Sequence, residues 1–149
     1  MSGRRLPTFL ALIAALWCGA AGSADFRSAA DAAVVLYDAP STKARKLYIV
    51  NRDYPLEVVV QVEGWMKVRD ATGALSWAEA KSLEPVRSLL VRSATAAIRQ
   101  KPAEDAAVVF EARRDVLLEI VEQANAGWIQ VRHRDGAAGY VRATDVWGG

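Results

Sequence analysis

From residue 25 onward the chain is a succession of short apolar runs, each stopped by turn-forming residues, at spacings of about 8–12 residues. Ala33–Tyr37 stops before Pro40, and Lys46–Val50 stops at Asn51-Arg52-Asp53. Leu56–Val62 is rich in β-branched residues and stops at Glu63-Gly64. Trp65–Arg69 stops at Asp70-Ala71-Thr72-Gly73, and Ala74–Ala78 follows. The pattern then begins again with Ala96–Arg99, Ala107–Phe110, Val116–Val121, Trp128–Arg132 and Ala137–Val141. Runs this short, bounded this regularly, predict strands, five in each half. Ala78–Ser82 and Arg142–Asp145 are too short for an α-helix and predict single 3₁₀ turns.

The two halves are copies. Gly64-Trp65-Met66-Lys67-Val68-Arg69 returns as Gly127-Trp128-Ile129-Gln130-Val131-Arg132, and in each a glycine follows four residues on, Gly73 or Gly136. Tyr37-Asp38-Ala39-Pro40 lies over Arg99-Gln100-Lys101-Pro102. A repeat of this length is a small domain duplicated rather than a solenoid unit. Duplication also resolves a local ambiguity. Asp105–Gln123 is rich in Ala, Glu, Arg and Leu and suits a helix by propensity, but the aligned segment holding Val58-Val59-Val60 does not. The copies share a fold, so strand is expected in both. The join Glu84-Pro85-Val86-Arg87 has no glycine, and Leu89-Leu90-Val91 follows it at once. A stiff link beside three aliphatic residues predicts that the two units pack together.

The first residues differ in kind. Arg4-Arg5, the apolar stretch Leu6–Ala21 and the small residues Ala20–Ala24 have the form of an export signal cut after Ala24. The expected organisation is therefore a signal peptide over 1–24 and two domains over 25–87 and 88–149. A periplasmic or secreted location is expected, with no membrane insertion after cleavage. Cys18, the single cysteine, would leave with the signal, so the mature chain would have no thiolate and no disulfide. Loss of Arg4 and Arg5 takes Lys+Arg from 19 to 17, equal to the 17 Asp+Glu. A chain with no net basic field is not expected to bind nucleic acid.

Catalytic chemistry finds no foothold. His133 is the one histidine, which excludes paired-histidine metal motifs, and no serine lies in a G-x-S-x-G elbow. No catalytic residue, metal ligand or cofactor is expected. The aromatic residues are the candidate site. A hairpin turning over Asp70–Gly73 sets Val68 against Leu75 and Met66 against Trp77, which sends those four into the core. Trp65, Lys67 and Arg69 then point outward. The same count sends Ile129, Val131 and Tyr140 inward, and Trp128, Gln130 and Arg132 outward.

A proline after the first strand, a Gly-Trp-x-x-Val strand, a hairpin glycine and an aromatic strand, all given twice, resemble the bacterial SH3-like domain. The resemblance covers nearly all of 26–149. It implies an all-β chain of two tandem five-stranded SH3-like barrels, and a non-enzymatic module that binds cell-wall peptide or an envelope protein. The alternative it leaves open is an adaptor that docks on an envelope enzyme without binding the wall. It places Trp65 and Trp128 at the ligand-facing tryptophan position. With Tyr37, Tyr48 and Lys67 these make up the candidate ligand-binding residues. The chain departs from the eukaryotic SH3 pattern where proline-rich ligands bind. Glu79 and Ser82, or Arg142 and Asp145, stand where that groove has Pro and Tyr.

Overall fold

The computed structural model describes residues 24–123 and 126–149, and apart from Ala24 the expected signal segment lies outside them. The described chain forms strands and two 3₁₀ turns. The first seven strands are β1 (Asp25–Ala29), β2 (Val34–Tyr37), β3 (Lys46–Val50), β4 (Pro55–Val62), β5 (Trp65–Arg69), β6 (Leu75–Glu79) and β7 (Leu83–Pro85). They form one antiparallel sheet in the order β3-β2-β6-β5-β4-β1-β7. The second copy repeats this with β8 (Ser88–Val91), β9 (Thr95–Arg99), β10 (Val108–Arg113), β11 (Leu117–Gln123), β12 (Trp128–Arg132), β13 (Ala138–Arg142) and β14 (Val146–Trp147). Its order is β10-β9-β13-β12-β11-β8-β14, the same topology. The 3₁₀ turns are Ala80–Ser82 and Ala143–Asp145, inside the segments expected for them.

The all-β tandem fold is as the sequence predicts, but each unit is a seven-stranded open sheet rather than a closed five-stranded barrel. The five expected strands are all present. A lead-in strand, β1 or β8, pairs along the outer edge of β4 or β11, and a short closing strand, β7 or β14, pairs along the lead-in strand. The sheet still wraps around one core. Val50 from one end of the row and Leu83 from the other both pack on the cluster of Val34, Leu36, Leu56, Met66 and Val68. In the second unit the equivalent cluster centres on Leu89, Ile98, Leu118, Val131 and Val141. Burying each such aliphatic side chain contributes about 1.5–3 kcal/mol. The segment with helical propensity, Asp105–Gln123, forms β10 and β11, because its apolar residues must cover a sheet core rather than a helix face.

The two units touch closely. Leu89 and Val91 face their own core, and Leu90, with the opposite parity, is also buried. The Arg87 backbone N–H donates to Ser28 Oγ at 3.1 Å, and the Ser88 hydroxyl donates to the Asp53 carbonyl. Phe26 of β1 meets Trp147 of β14 edge to face, with ring centroids 5.1 Å apart. Gly148 is required at its place: its φ is +122°, and a Cβ would fall 2.6 Å from the Cβ of Pro55.

Candidate functional site

The hairpin joining β5 to β6 decides which side chains share a face. Arg69 pairs with Leu75, and Asp70 and Ala74 close the turn through Asp70 N–H to the Ala74 carbonyl at 3.0 Å. The loop therefore has three residues, Ala71, Thr72 and Gly73, with Gly73 left-handed at φ +91°. Asp70 Oδ1 holds the loop by accepting from the Thr72 N–H at 2.8 Å and the Ala74 N–H at 3.1 Å. Second-copy geometry is the same: His133 N–H donates to the Ala137 carbonyl, and Gly136 sits at φ +97°.

This register corrects the expected pairing by one residue. Val68 faces Ser76 and Met66 faces Ala78, so Ser76 and Ala78 point inward, while Leu75 is 46% exposed. Trp77 lies opposite Lys67, on the outer face, and Tyr140 lies opposite Gln130 on the outer face of the second unit. The extra loop residue is the cause, since a slip of one reverses the face of every residue in the strand.

The correction assembles a site. Tyr37 pairs across the sheet with Trp77, and its ring meets Trp65 edge to face at 5.5 Å. The three aromatic residues thus share the outer face of β2, β6 and β5. Tyr37 is buried as the floor, and Trp65 and Trp77 are half-buried. Lys67 Nζ stands 5.9 Å from the Trp77 ring centroid, a weak cation–π contact. Glu79, opposite Trp65, forms an ion pair with Lys81 at 2.9 Å. The hydrogen bond to Glu79 and its charge raise the Lys81 pKa above its ordinary value. The face presents apolar rings between groups of both signs, a surface able to hold a peptide by packing and by backbone or end-group hydrogen bonds.

Of the expected residues, Trp65, Tyr37 and Lys67 come together. Tyr48 does not. It pairs with Leu36, so it has the parity of the core, and on the edge strand β3 it emerges 54% exposed. A bulge between Leu36 and Tyr37 sets Lys46, not Leu47, beside Tyr37. Trp128 faces outward as expected but is only 7% exposed. The Arg142 guanidinium lies over its ring at 5.3 Å and is held there by an ion pair with Glu104. Arg99 stands where the first unit has Tyr37, pairs with Tyr140, and donates to the Ala106 carbonyl at 2.8 Å.

Two segments, residues 30–85 and 92–148, match the family described as the bacterial SH3 domain. The chain belongs to that family. Domains of this family are binding modules. Comparison with curated proteins finds no match. Among solved structures, NlpC1 from Trichomonas vaginalis is similar at 19% identity and a TM-score of 0.39, over 83% of this chain and 45% of that one. NlpC2 from the same organism aligns at 16% identity and a TM-score of 0.37, over 83% and 47%. An NlpC/P60 family protein from Bacillus cereus ATCC 10987 aligns at 15% identity and a TM-score of 0.39, over 82% and 55%. The chain spans about half the length of these structures. Membership therefore rests on the two matched segments.

Within the first SH3 domain, Trp77, expected in the core, is a site residue, and Glu79, read from the sequence only as a departure from the eukaryotic groove, stands at its rim. Their signal was present: Asp70 followed three residues later by Gly73 is the mark of a three-residue loop with a left-handed glycine, which moves Trp77 to the outer face.

Proposed function

We propose that this chain is a non-enzymatic binding module of the cell envelope, and that its first SH3 domain recognises cell-wall peptide on the face formed by Tyr37, Trp65 and Trp77. The joint exposure of Trp65 and Trp77 above Tyr37, with Lys67 and Glu79 at the rim, supports this. Aromatic anchors of this kind dominate small recognition surfaces. Residues 1–24 direct export and are removed on translocation, and the mature chain acts in the periplasm. The second SH3 domain holds its tryptophan under Arg142, and serves chiefly as the rigid partner of the first.

The test is retention on purified peptidoglycan sacculi. The mature protein is expected to sediment with sacculi, and Trp65→Ala is expected to remain in the supernatant while still folding cooperatively, its melt lowered only as far as loss of a half-buried ring requires. Failure of the unaltered protein to sediment, together with a stoichiometric envelope protein in a pull-down, would replace wall binding by docking on an envelope enzyme.

A further inference from the structure

A cleft lies between the two SH3 domains. Its volume is about 700 Å³, within the roughly 300–1,000 Å³ typical of small-molecule sites. The β3–β4 turn of the first domain supplies Arg52 and Asp53, and the connector supplies Arg87. The second domain supplies Asp115, Glu119, Arg132 and Arg134. Four arginines thus face three carboxylates in one concavity.

These charges are not all satisfied by one another. Arg132 pairs with Glu119 at 3.7 Å, and Arg87 turns to Glu84 at 3.4 Å. Arg52 and Arg134 make no ion pair among the described residues, and neither do Asp53 and Asp115. Asp53 and Asp115 occupy equivalent turns in the two domains, each in the left-handed conformation at φ 67°. The tight turns fix the backbone from which the two carboxylates extend. Two free guanidinium groups and two free carboxylates therefore line one cleft.

We propose that this cleft binds a short peptide through both of its charged ends, the carboxylate on Arg52 and Arg134 and the ammonium on Asp53 and Asp115. Arginine presents a planar fork that matches a carboxylate with two parallel hydrogen bonds. The carboxylates that accept the ammonium repel a polyanion, so phosphate is disfavoured. The site differs from the aromatic face in place and chemistry, and it does not depend on wall binding.

Trialanine with free termini is the probe, titrated into the mature protein and followed by NMR. Saturable shifts are expected around Arg52 and Arg134. Amidation of the probe's carboxylate, acetylation of its amine, and the Arg52→Ala/Arg134→Ala double variant should each weaken binding about tenfold or more. Both arginines are exposed, so the variant's melt should be unchanged. Trp65→Ala should bind trialanine normally, while the double variant should still sediment with sacculi if the aromatic face binds them. Absence of saturable binding, equal affinity for the blocked peptides, tighter binding of inorganic phosphate, or loss of trialanine binding in Trp65→Ala would each overturn the proposal.

Discussion

The register of the β5–β6 hairpin is tested by exchanging polarity at two adjacent positions, Trp77→Gln and Ala78→Gln. Trp77 is half-buried on the outer face, over Tyr37 and beside Lys67. Truncating a fully buried aromatic costs about 3–5 kcal/mol. Half that burial, plus loss of an exposed cation–π contact, comes to about 2–3 kcal/mol. The new amide reaches water and adds nothing. Were Trp77 inside, the same change would add an unsatisfied buried amide at about 1–3 kcal/mol to the full cavity cost. That total of about 4–8 kcal/mol matches or exceeds the roughly 3–5 kcal/mol available to a core of this size. Ala78 is fully buried, so Ala78→Gln overpacks the core and strands the amide there. In thermal unfolding followed by circular dichroism, Trp77→Gln should fold with a melt lowered by about 10–20 °C. Ala78→Gln should lose the dispersed NMR spectrum of the first domain. The opposite pair of results, Trp77→Gln unfolded and Ala78→Gln folded, would show that the two strands pair one residue away from the register described.

Other changes probe single contacts. Gly148→Ala drives a methyl group into Pro55 at a φ that L-residues avoid, and should lower stability by about 1–3 kcal/mol in denaturant titration. Glu104→Gln releases Arg142 from its place over Trp128; because the ion pair is exposed, stability should change by less than about 1 kcal/mol, while a fluorotryptophan NMR signal from Trp128 should become accessible to solvent. Tyr54, against the first core, has its phenol pKa raised above the ordinary 10.0 chiefly by burial, with a hydrogen bond to the Ala71 backbone opposing. The fold therefore favours the neutral phenol, and its contribution is complete below the unfolded value and lost as pH rises through the folded one. Stability should fall in the alkaline range, and Tyr54→Phe should fall less steeply.

Strands were legible wherever an apolar run met a turn cluster, because burial on one face of a sheet imposes both. Duplication supplied what propensity did not: β10 and β11 are readable as strands only because Val58-Val59-Val60 cannot be helix. The lead-in strand β1 was harder to number. Arg27-Ser28-Ala29 looks like Arg92-Ser93-Ala94 in composition, yet the register sets Ala29 level with Val91, since Ala29 pairs with Leu83 and Val91 with Val146. Outward placement of Trp65 followed from alternation within its own strand. Placement of Trp77 depended on the length of a loop, and one residue there reverses the face. The covering of Trp128 was out of reach of alternation, because it is made by Glu104, from a loop between other strands, acting through Arg142.

The contact between Phe26 and Trp147 sets an order on the birth of the molecule. Every strand of the first sheet has been synthesised once Pro85 has been made, and its hydrogen bonds can close from then on. Phe26 waits. Its ring acquires the indole that covers it only when the last strand of the second sheet arrives, and Pro55 likewise waits for Gly148. A half-made or clipped chain therefore carries a finished first domain with a bare aromatic flank. Such a surface invites chaperones and proteases, and completion of the second domain is what withdraws it.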